Sequence, residues 1–576
     1  MLQFGFMDNL DPTYQHLITE LKYGLNAAED NEERLNLLSA FSCAYVLPKE
    51  LWNAYFGLII ELLSAQEIRE RAKSIILHSF YQLYYKTPTD FYLTLYYCGP
   101  LQLPKRKLLK YGYEPVAFGA FNIGNGVSPN AASLIRNISF PSAHIETTWR
   151  QYEKTSMPPL KVVKMYQKMK ALYAKIEMVK ENVEEWLEAL MEVGDSEFVE
   201  HNIEYRLGSD LSNKKLWKLY IEYLKEQQEE GDCKLLHTYS KYCRFFMDDT
   251  KMKEEYQKAA EKYSHQIEVP WTNPFEFEVF SEAALKHYFS KSDDTSASDN
   301  EEEANHIITV YFNTDNLIEQ KNLTFKSPLI HYIIQNANAR ILQNLFKCCK
   351  WFFANNPIPI CYSLKTKQRP MRKSEINFYQ QSVEVVEHSL VKTGLENIYL
   401  STVLQIINPR DRMLLSDFIP KMFKCDAKYI SITNQDLTFN ELYFILGHGN
   451  VFDLHLYEVG IIDGNGKAVP IEDVLKLCLK AQFINIGGVS DTPNTAKILS
   501  EMKFENKFEI FNLKIDDLES NAFAEFLKKN MAPNSEILIH YKFNNNAPII
   551  SNFRQIVSNA INSHWKADEK PTFKVI

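Results

Sequence analysis

The sequence predicts a multidomain protein of α plus α/β class: an N-terminal all-α solenoid of stacked helix pairs, followed by an α/β horseshoe of strand–helix repeats. Three observations carry this expectation. A chain of 576 residues exceeds what one compact core holds. Before residue 290, large apolar residues recur three and four apart. From about residue 425, short β-rich runs alternate with short amphipathic segments, the pattern of parallel strands joined by helices.

The first region, 1–290, reads as helical repeats. Segments such as ELWNAYFGLIIELLSAQEIRERAKSIILHSFYQLYY hold no Gly or Pro after Gly57. One pattern recurs: Trp, then an aromatic or apolar residue at the third and sixth positions on. Trp52-Tyr55-Leu58, Trp217-Tyr220-Tyr223 and Tyr239-Tyr242-Phe245 carry it, with Trp149-Tyr152 and Trp186-Ala189 as partial copies. At that spacing the side chains form one stripe on a helix. A lone helix pair cannot bury such a stripe, whereas pairs stacked in register bury it between neighbours. Spacings of 37 and 31 residues (Trp149 to Trp186, Trp186 to Trp217) favour a solenoid over an ordinary bundle. Trp52, Tyr55, Trp149, Tyr152, Trp186, Trp217, Tyr220 and Tyr223 are therefore expected as core determinants of the array, not as partner contacts.

These segments resemble the HAT (half-a-TPR) repeats of RNA-processing proteins. In order, LPKELWNAYFGLIIELLSAQEIRERAKSIILHSF, SLIRNISFPSAHIETTWRQYEK and VEEWLEALMEVGDSEFVEHNIEYRL are similar to the N-terminal HAT domain of spliceosomal snRNP-recycling factors, over roughly residues 10–270. The resemblance implies a TPR-like helical scaffold that binds proteins of ribonucleoprotein complexes, associates with RNA indirectly, and dimerises through this half. A Gly/Asn/Pro loop at 111–132 interrupts the pattern, and no aromatic-basic strand of an RNA-recognition motif follows.

Next comes KSDDTSASDNEEEAN, residues 291–305, too polar to order itself and expected as a disordered acidic linker. A phosphorylatable acidic tract is the alternative. Residues 306–424 read as a helical connecting region, in which Cys348-Cys349 lies among Leu345, Phe346 and Trp351 as buried thiols.

In 425–576, strand-like runs begin near Tyr429, Asp453, Phe483, Phe508 and Ile537, at steps of about 24 to 30 residues that fit one strand plus one helix, as in leucine-rich repeats. A compact doubly wound sheet is the alternative, although Gly487-Gly488 is no dinucleotide fingerprint. Residues 325–576 resemble the F-box-associated, leucine-rich-like domains expanded in nematodes, on the segments ILQNLFKCCKWFFANNPIPI, KCDAKYISITNQDLTFNELYFIL and GKAVPIEDVLKLCLKAQFINI. That resemblance implies substrate recognition in ubiquitin-dependent degradation, but no F-box helix trio is seen to dock a ligase adaptor.

Composition narrows the chemistry. Only 19 Gly disfavour Gly-rich phosphate loops, and a net charge of −9 excludes a globally basic nucleic-acid coat. Nine scattered Cys with no CxxC pair fit a reducing compartment. The start shows no signal peptide, and the apolar runs fall short of the roughly 20 residues a membrane span needs, so a soluble intracellular protein is expected. No nucleotide-binding, metalloprotease, hydrolase or kinase motif is present, so no enzyme, cofactor or metal is expected. His448, His455 and His540 lie near strand ends, and Asp516-Asp517 falls where a helix cap would. One basic cluster, Lys105-Arg106-Lys107 with Lys110, beside Tyr111 and Tyr113, reads as a solvated loop, with an RNA-contact or nuclear-import patch as the alternative. The reading is a non-enzymatic scaffold of the nucleus, or otherwise the cytoplasm, with F-box/leucine-rich substrate recognition as the alternative.

Overall fold

The structure, a computed structural model, describes residues 10–62, 66–85, 106–110, 131–227, 234–262, 267–285, 288, 326–348, 350–367, 376–379, 381–386, 389–390, 394–407, 409–542, 547–567 and 569–576. The chain divides into two units, Met1–Glu301 and Glu302–Ile576. The division falls inside the acidic tract 291–305, which lies outside the described residues, as does most of the 111–132 loop.

The first unit is helical: α1 (Pro12–Ala27), α2 (Asn31–Ala44), α3 (Lys49–Leu62), α4 (Gln66–Tyr81), α5 (Ala131–Ile138), α6 (Ile145–Thr155), α7 (Leu160–Met178), α8 (Val183–Met191), α9 (Ser196–Ser209), α10 (Lys214–Glu226), α11 (Lys234–Phe245) and α12 (Thr250–Glu261). Asp30, Asn182, Asp195, Asn213 and Asp249 each stand just before a helix and accept a backbone N–H of its first turn. From α1 to α4 and from α5 to α12, each helix packs on the next in the chain. Two short parallel strands, β1 (Ile267–Val269) and β2 (Glu278–Phe280), close the unit, so the 1–290 region is not purely helical. Helix α11 is buried on every side from Leu235 to Phe245, although it carries Lys241 and Arg244. The strand-bearing segment 267–285, with Tyr288, covers its polar face.

The second unit begins with α13 (Ser327–Asn336), α14 (Ala339–Cys348) and α15 (Lys350–Asn355). The sheet then starts earlier than the sequence suggests: β3 (Ile360–Lys367), β4 (Ile376–Tyr379), β5 (Ser382–Val386) and β6 (Ile398–Ile406) all lie inside the region expected to be a helical connection. That expectation is corrected. ICYSLKTK and IYLSTVLQI are buried on both faces over much of their length, so they lack the alternation that marks a half-exposed strand. There follow α16 (Leu414–Phe418), β7 (Met422–Cys425), β8 (Tyr429–Thr433), β9 (Asp436–Thr438), α17 (Phe439–Leu446), β10 (Asp453–Tyr457), β11 (Gly460–Ile462), α18 (Ile471–Leu475), β12 (Phe483–Gly487), α19 (Thr495–Glu501), β13 (Phe508–Ile515), α20 (Ser520–Asn530), β14 (Met531–Tyr541), α21 (Ala547–His564) and β15 (Thr572–Val575).

Along the sheet, β3, β6, β8, β10, β12, β13, β14 and β15 are neighbours in chain order and all parallel. Strands β5 and β4 extend the β3 edge, β4 antiparallel. A parallel step needs a crossover, and here the crossovers from α17 onward bury their apolar sides in one core with Ile430, Leu454, Ile484, Phe511 and Ile537 of the strands. Helices therefore cover one face. On the other face the alternate residues Ser431, His455, Asn485, Asn512 and Leu538 are half-buried.

The turn after each central strand repeats. Asn434, Glu458 and Gly488 follow β8, β10 and β12 with φ of 52°, 56° and 99°. Asn434 N–H donates to Tyr457 O at 2.9 Å, and Glu458 N–H to Gly487 O at 2.7 Å, so each turn is hooked to the next strand. A Cβ at Gly488 would lie 2.9 Å from Glu458 Cα, which makes glycine obligatory there. No described helix is long and apolar enough to cross a membrane.

Candidate interaction site

Trp52, Tyr55, Trp186, Trp217, Tyr220 and Tyr223 are buried in the main core of the helical unit. Trp52 stacks on Tyr55 with ring centroids 5.6 Å apart, and Trp217 Nε1–H donates to Leu211 O at 2.9 Å. Trp149 and Tyr152 belong to a separate small core built by α5, α6 and α7, where Trp149 is half-buried and stacks on Tyr166 at 4.4 Å. The Tyr239-Tyr242-Phe245 stripe lies on α11, directly after the helix bearing the Trp217 stripe, which explains its close spacing.

The basic cluster is turned inward. Lys105, Tyr111 and Tyr113 lie outside the described residues. Arg106 is nearly buried: its guanidinium donates to Glu204 at 2.6 Å and lies over the Tyr85 ring at 4.5 Å. The Lys107 ammonium bridges Asp195 at 2.9 Å and Glu197 at 2.7 Å, over Phe140. Asn202 clamps the same loop, donating to Lys107 O and accepting from Leu109 N–H. Lys110 alone of the three described cations is exposed. The expectation of a solvated loop, and with it that of an open phosphate-binding or import patch, is corrected for Arg106 and Lys107, because α9 supplies carboxylates that the local sequence does not contain.

Arg106 belongs to a buried cluster centred on Glu204, which also accepts from the Tyr85 and Tyr220 hydroxyls at 2.8 Å each and faces Lys234 at 3.5 Å. Burial alone would raise the Glu204 carboxyl, but Lys234 and Arg106 outweigh it and hold it well below the usual range. Lys234 also pairs with Glu200. Beside them Lys241 forms no ion pair among the described residues; its Nζ donates to the Tyr288 hydroxyl at 3.2 Å, with the Tyr81 ring at 4.3 Å. Burial pulls its pKa down to about 7, opposed by Glu204. His237, bonded to the Tyr81 hydroxyl at 3.0 Å, is brought down to about 3 by burial.

A second buried pair fastens segment 267–285 over α11. Arg244 meets Glu278 at 2.6 Å, and Glu278 also accepts from Ser240, Tyr256 and the Phe275 N–H. Trp271 donates to Ser240 at 3.1 Å and packs edge-on to Tyr81. The chain's own segment thus fills the polar side of α11. None of Glu204, Lys241, Arg244 or Glu278 was singled out in the sequence; the available signal was charge embedded among aromatics, as in HNIEYRL and KYCRFF.

On the sheet, register separates the histidines. His455 on β10 and His540 on β14 have β12 and β13 between them, roughly 14 Å across the sheet at the usual strand spacing, and stand two residues apart in register; His448 lies beyond the strands after α17. Asp516 and Asp517 do not cap α20. Glu519 does, while the N–H groups of both aspartates donate to Asp491 and the Asp516 carboxylate meets Lys542 at 2.8 Å. Cys348 is exposed rather than buried, and Cys349 lies outside the described residues.

The open face of the sheet is the remaining surface. Its central row runs Gln405, Ser431, His455, Asn485, Asn512 and Leu538 across β6, β8, β10, β12, β13 and β14. Some ionic groups elsewhere in the unit are paired: Lys367 with Glu384, Arg412 with Asp436, and Lys542 with Asp491 and Asp516. Within the central row Asn512 Oδ1 is shielded from water without a hydrogen-bond partner. No protein-family model matches the chain, and a search of curated proteins finds none that matches it.

Proposed function

We propose that the protein is a non-enzymatic scaffold that holds proteins of spliceosomal ribonucleoprotein complexes in the nucleus. The observation that carries the reading is the succession of packed elements in chain order within each unit, among the described residues, the arrangement by which repeat proteins build extended binding surfaces. In the helical unit, the HAT-like order of segments and the buried Trp/Tyr stripes support a solenoid. In the second unit, parallel strands in chain order with helices on one face support a leucine-rich-type horseshoe. RNA association is indirect in this reading, since Arg106 and Lys107 are held by carboxylates of the same chain. Dimerisation through the helical half follows from the family likeness, and light scattering on the purified chain would measure it.

The alternative, substrate recognition of the F-box and leucine-rich type, is favoured by one observation, the half-exposed face of the parallel sheet. Affinity capture with the full chain separates the two. Recovery of small nuclear ribonucleoprotein proteins supports the first reading, and recovery of a ubiquitin-ligase adaptor supports the second.

A further inference from the structure

Helix α7 gathers positive charge in an acidic protein. From Lys154 to Lys180 the chain holds seven lysines and one carboxylate, Glu177, against a net charge of −9 for the whole. Val162, Met169, Leu172 and Ile176 turn one side of α7 into the cores of the helical unit. Lysines at the edges and the end of the opposite side are paired: Lys170 with Glu146 at 2.6 Å, Lys175 with Glu192, and Lys180 with Glu177 at 3.4 Å. Glu146 and Glu153 also act on Tyr166, away from the exposed side. Lys161, Lys164 and Lys168 are exposed and form no ion pair among the described residues. At steps of three and four they make one row about 10 Å long.

An uncharged strip runs beside that row. Leu160, Gln167, Ala171, Ala174 and Met178 recur at helical spacing on the same exposed side, roughly 27 Å from end to end. Leu160 is 64% exposed and Met178 85%, so both apolar ends of the strip stand in water. The alanines between them let a second helix approach closely. A nucleic-acid strand would want a different surface. The helix holds no arginine to fork onto phosphate, and its Tyr166 is stacked on Trp149 instead of offering its face to a base. Cations along one edge and apolar side chains along the next are complementary to an amphipathic helix with an acidic edge.

We propose that the exposed side of α7 docks an acidic amphipathic helix of another protein, whose carboxylates meet Lys161, Lys164 and Lys168 while its apolar side covers Leu160, Ala171 and Met178. Such a helix needs about five turns to span the strip. This inference rests on the scaffold reading and names what the helical unit of the scaffold grips.

The test pans a displayed library of single helices, randomised at their exposed positions, on the immobilised full chain, then measures synthetic versions of the selected peptides by fluorescence anisotropy. The expected peptides carry Asp or Glu along one edge with apolar residues beside it, and bind more weakly as salt rises. Lys161→Gln/Lys164→Gln/Lys168→Gln should weaken them at least about tenfold, and Leu160→Ser/Met178→Ser should do the same. All five side chains are exposed, so both variants should melt with the wild type. A scrambled peptide of the same composition should bind at least about tenfold more weakly. Recovery of basic peptides, of uncharged ones or of none would overturn the proposal, as would binding indifferent to either variant or to scrambling. Tighter, lysine-dependent binding of a single-stranded RNA oligonucleotide or of phosphatidylserine vesicles would also overturn it. Peptide binding seen only after deletion of residues 291–305 would overturn it in favour of the chain's own acidic tract. If the peptides behave as expected but the purified chain carries no ribonucleoprotein proteins, the scaffold reading fails and the α7 site stands. If those proteins are carried and peptide binding ignores the lysines, the α7 site fails alone.

Discussion

At Glu204 two phenols and a guanidinium converge on one carboxylate that water does not reach. Removing one member of such a buried pair strands the other charge, so Glu204→Ala should cost roughly 3–5 kcal/mol, measured by urea denaturation. Lys241 differs, because no carboxylate pairs with it directly and its charge is opposed by burial. Lys241→Met should be neutral or stabilising at pH 7 in the same measurement. The neutral histidines set the acid limit. Burial brings His78 to about 4 and His237 to about 3, whereas an unfolded histidine titrates near 6.5. The unfolded chain therefore takes up protons that the folded chain refuses. Their stabilisation is complete above pH 6.5 and is lost as pH falls towards 3. Thermal melts should show a midpoint falling steadily from pH 7 to pH 4, and His237→Asn should flatten that decline. At this scale the sequence was least informative. Arg106 and Lys107 read as solvated because their carboxylates stand about 90 to 100 residues away, at Asp195, Glu197 and Glu204.

Elements were more legible where one face is buried. Strands β8, β10, β12 and β13 begin at the residues the alternation picked out, and the helices between them match the amphipathic runs. Strands β3 and β6 were missed because they are buried on both faces over much of their length, and the segment 267–285 because its fastening is long-range. The repeated turn gives a sharp test. At Gly488 an added Cβ would press on Glu458 backbone from a left-handed conformation, so Gly488→Ala should destabilise the second unit by about 2 kcal/mol or more. Glu458→Gly should stabilise it by up to about 1 kcal/mol, since a non-glycine residue there bears the strain. In the helical unit, Trp217 is fully buried and Trp217→Ala should cost about 3–5 kcal/mol. Denaturation of single variants checks all three.

Over the whole molecule, the frequency of Phe and Tyr acquires two physical causes. Aromatic stripes fill the spaces between packed helices in the first unit, and Phe508, Phe511, Phe523, Phe526 and Phe553 knit strands to helices in the second. The acidic tract, legible as a boundary from composition alone, coincides with the division between the units. Partner identity is a different matter, because side chains on open surfaces are not dictated by the packing that fixes the core. The most direct measurement is sequencing of the RNA, with mass spectrometry of the proteins, that accompany the full chain when it is affinity-purified from cells. The scaffold account predicts small nuclear RNA together with its core proteins, with the proteins persisting after ribonuclease treatment. A preparation free of both, or one carrying a ubiquitin-ligase adaptor in their place, would contradict it.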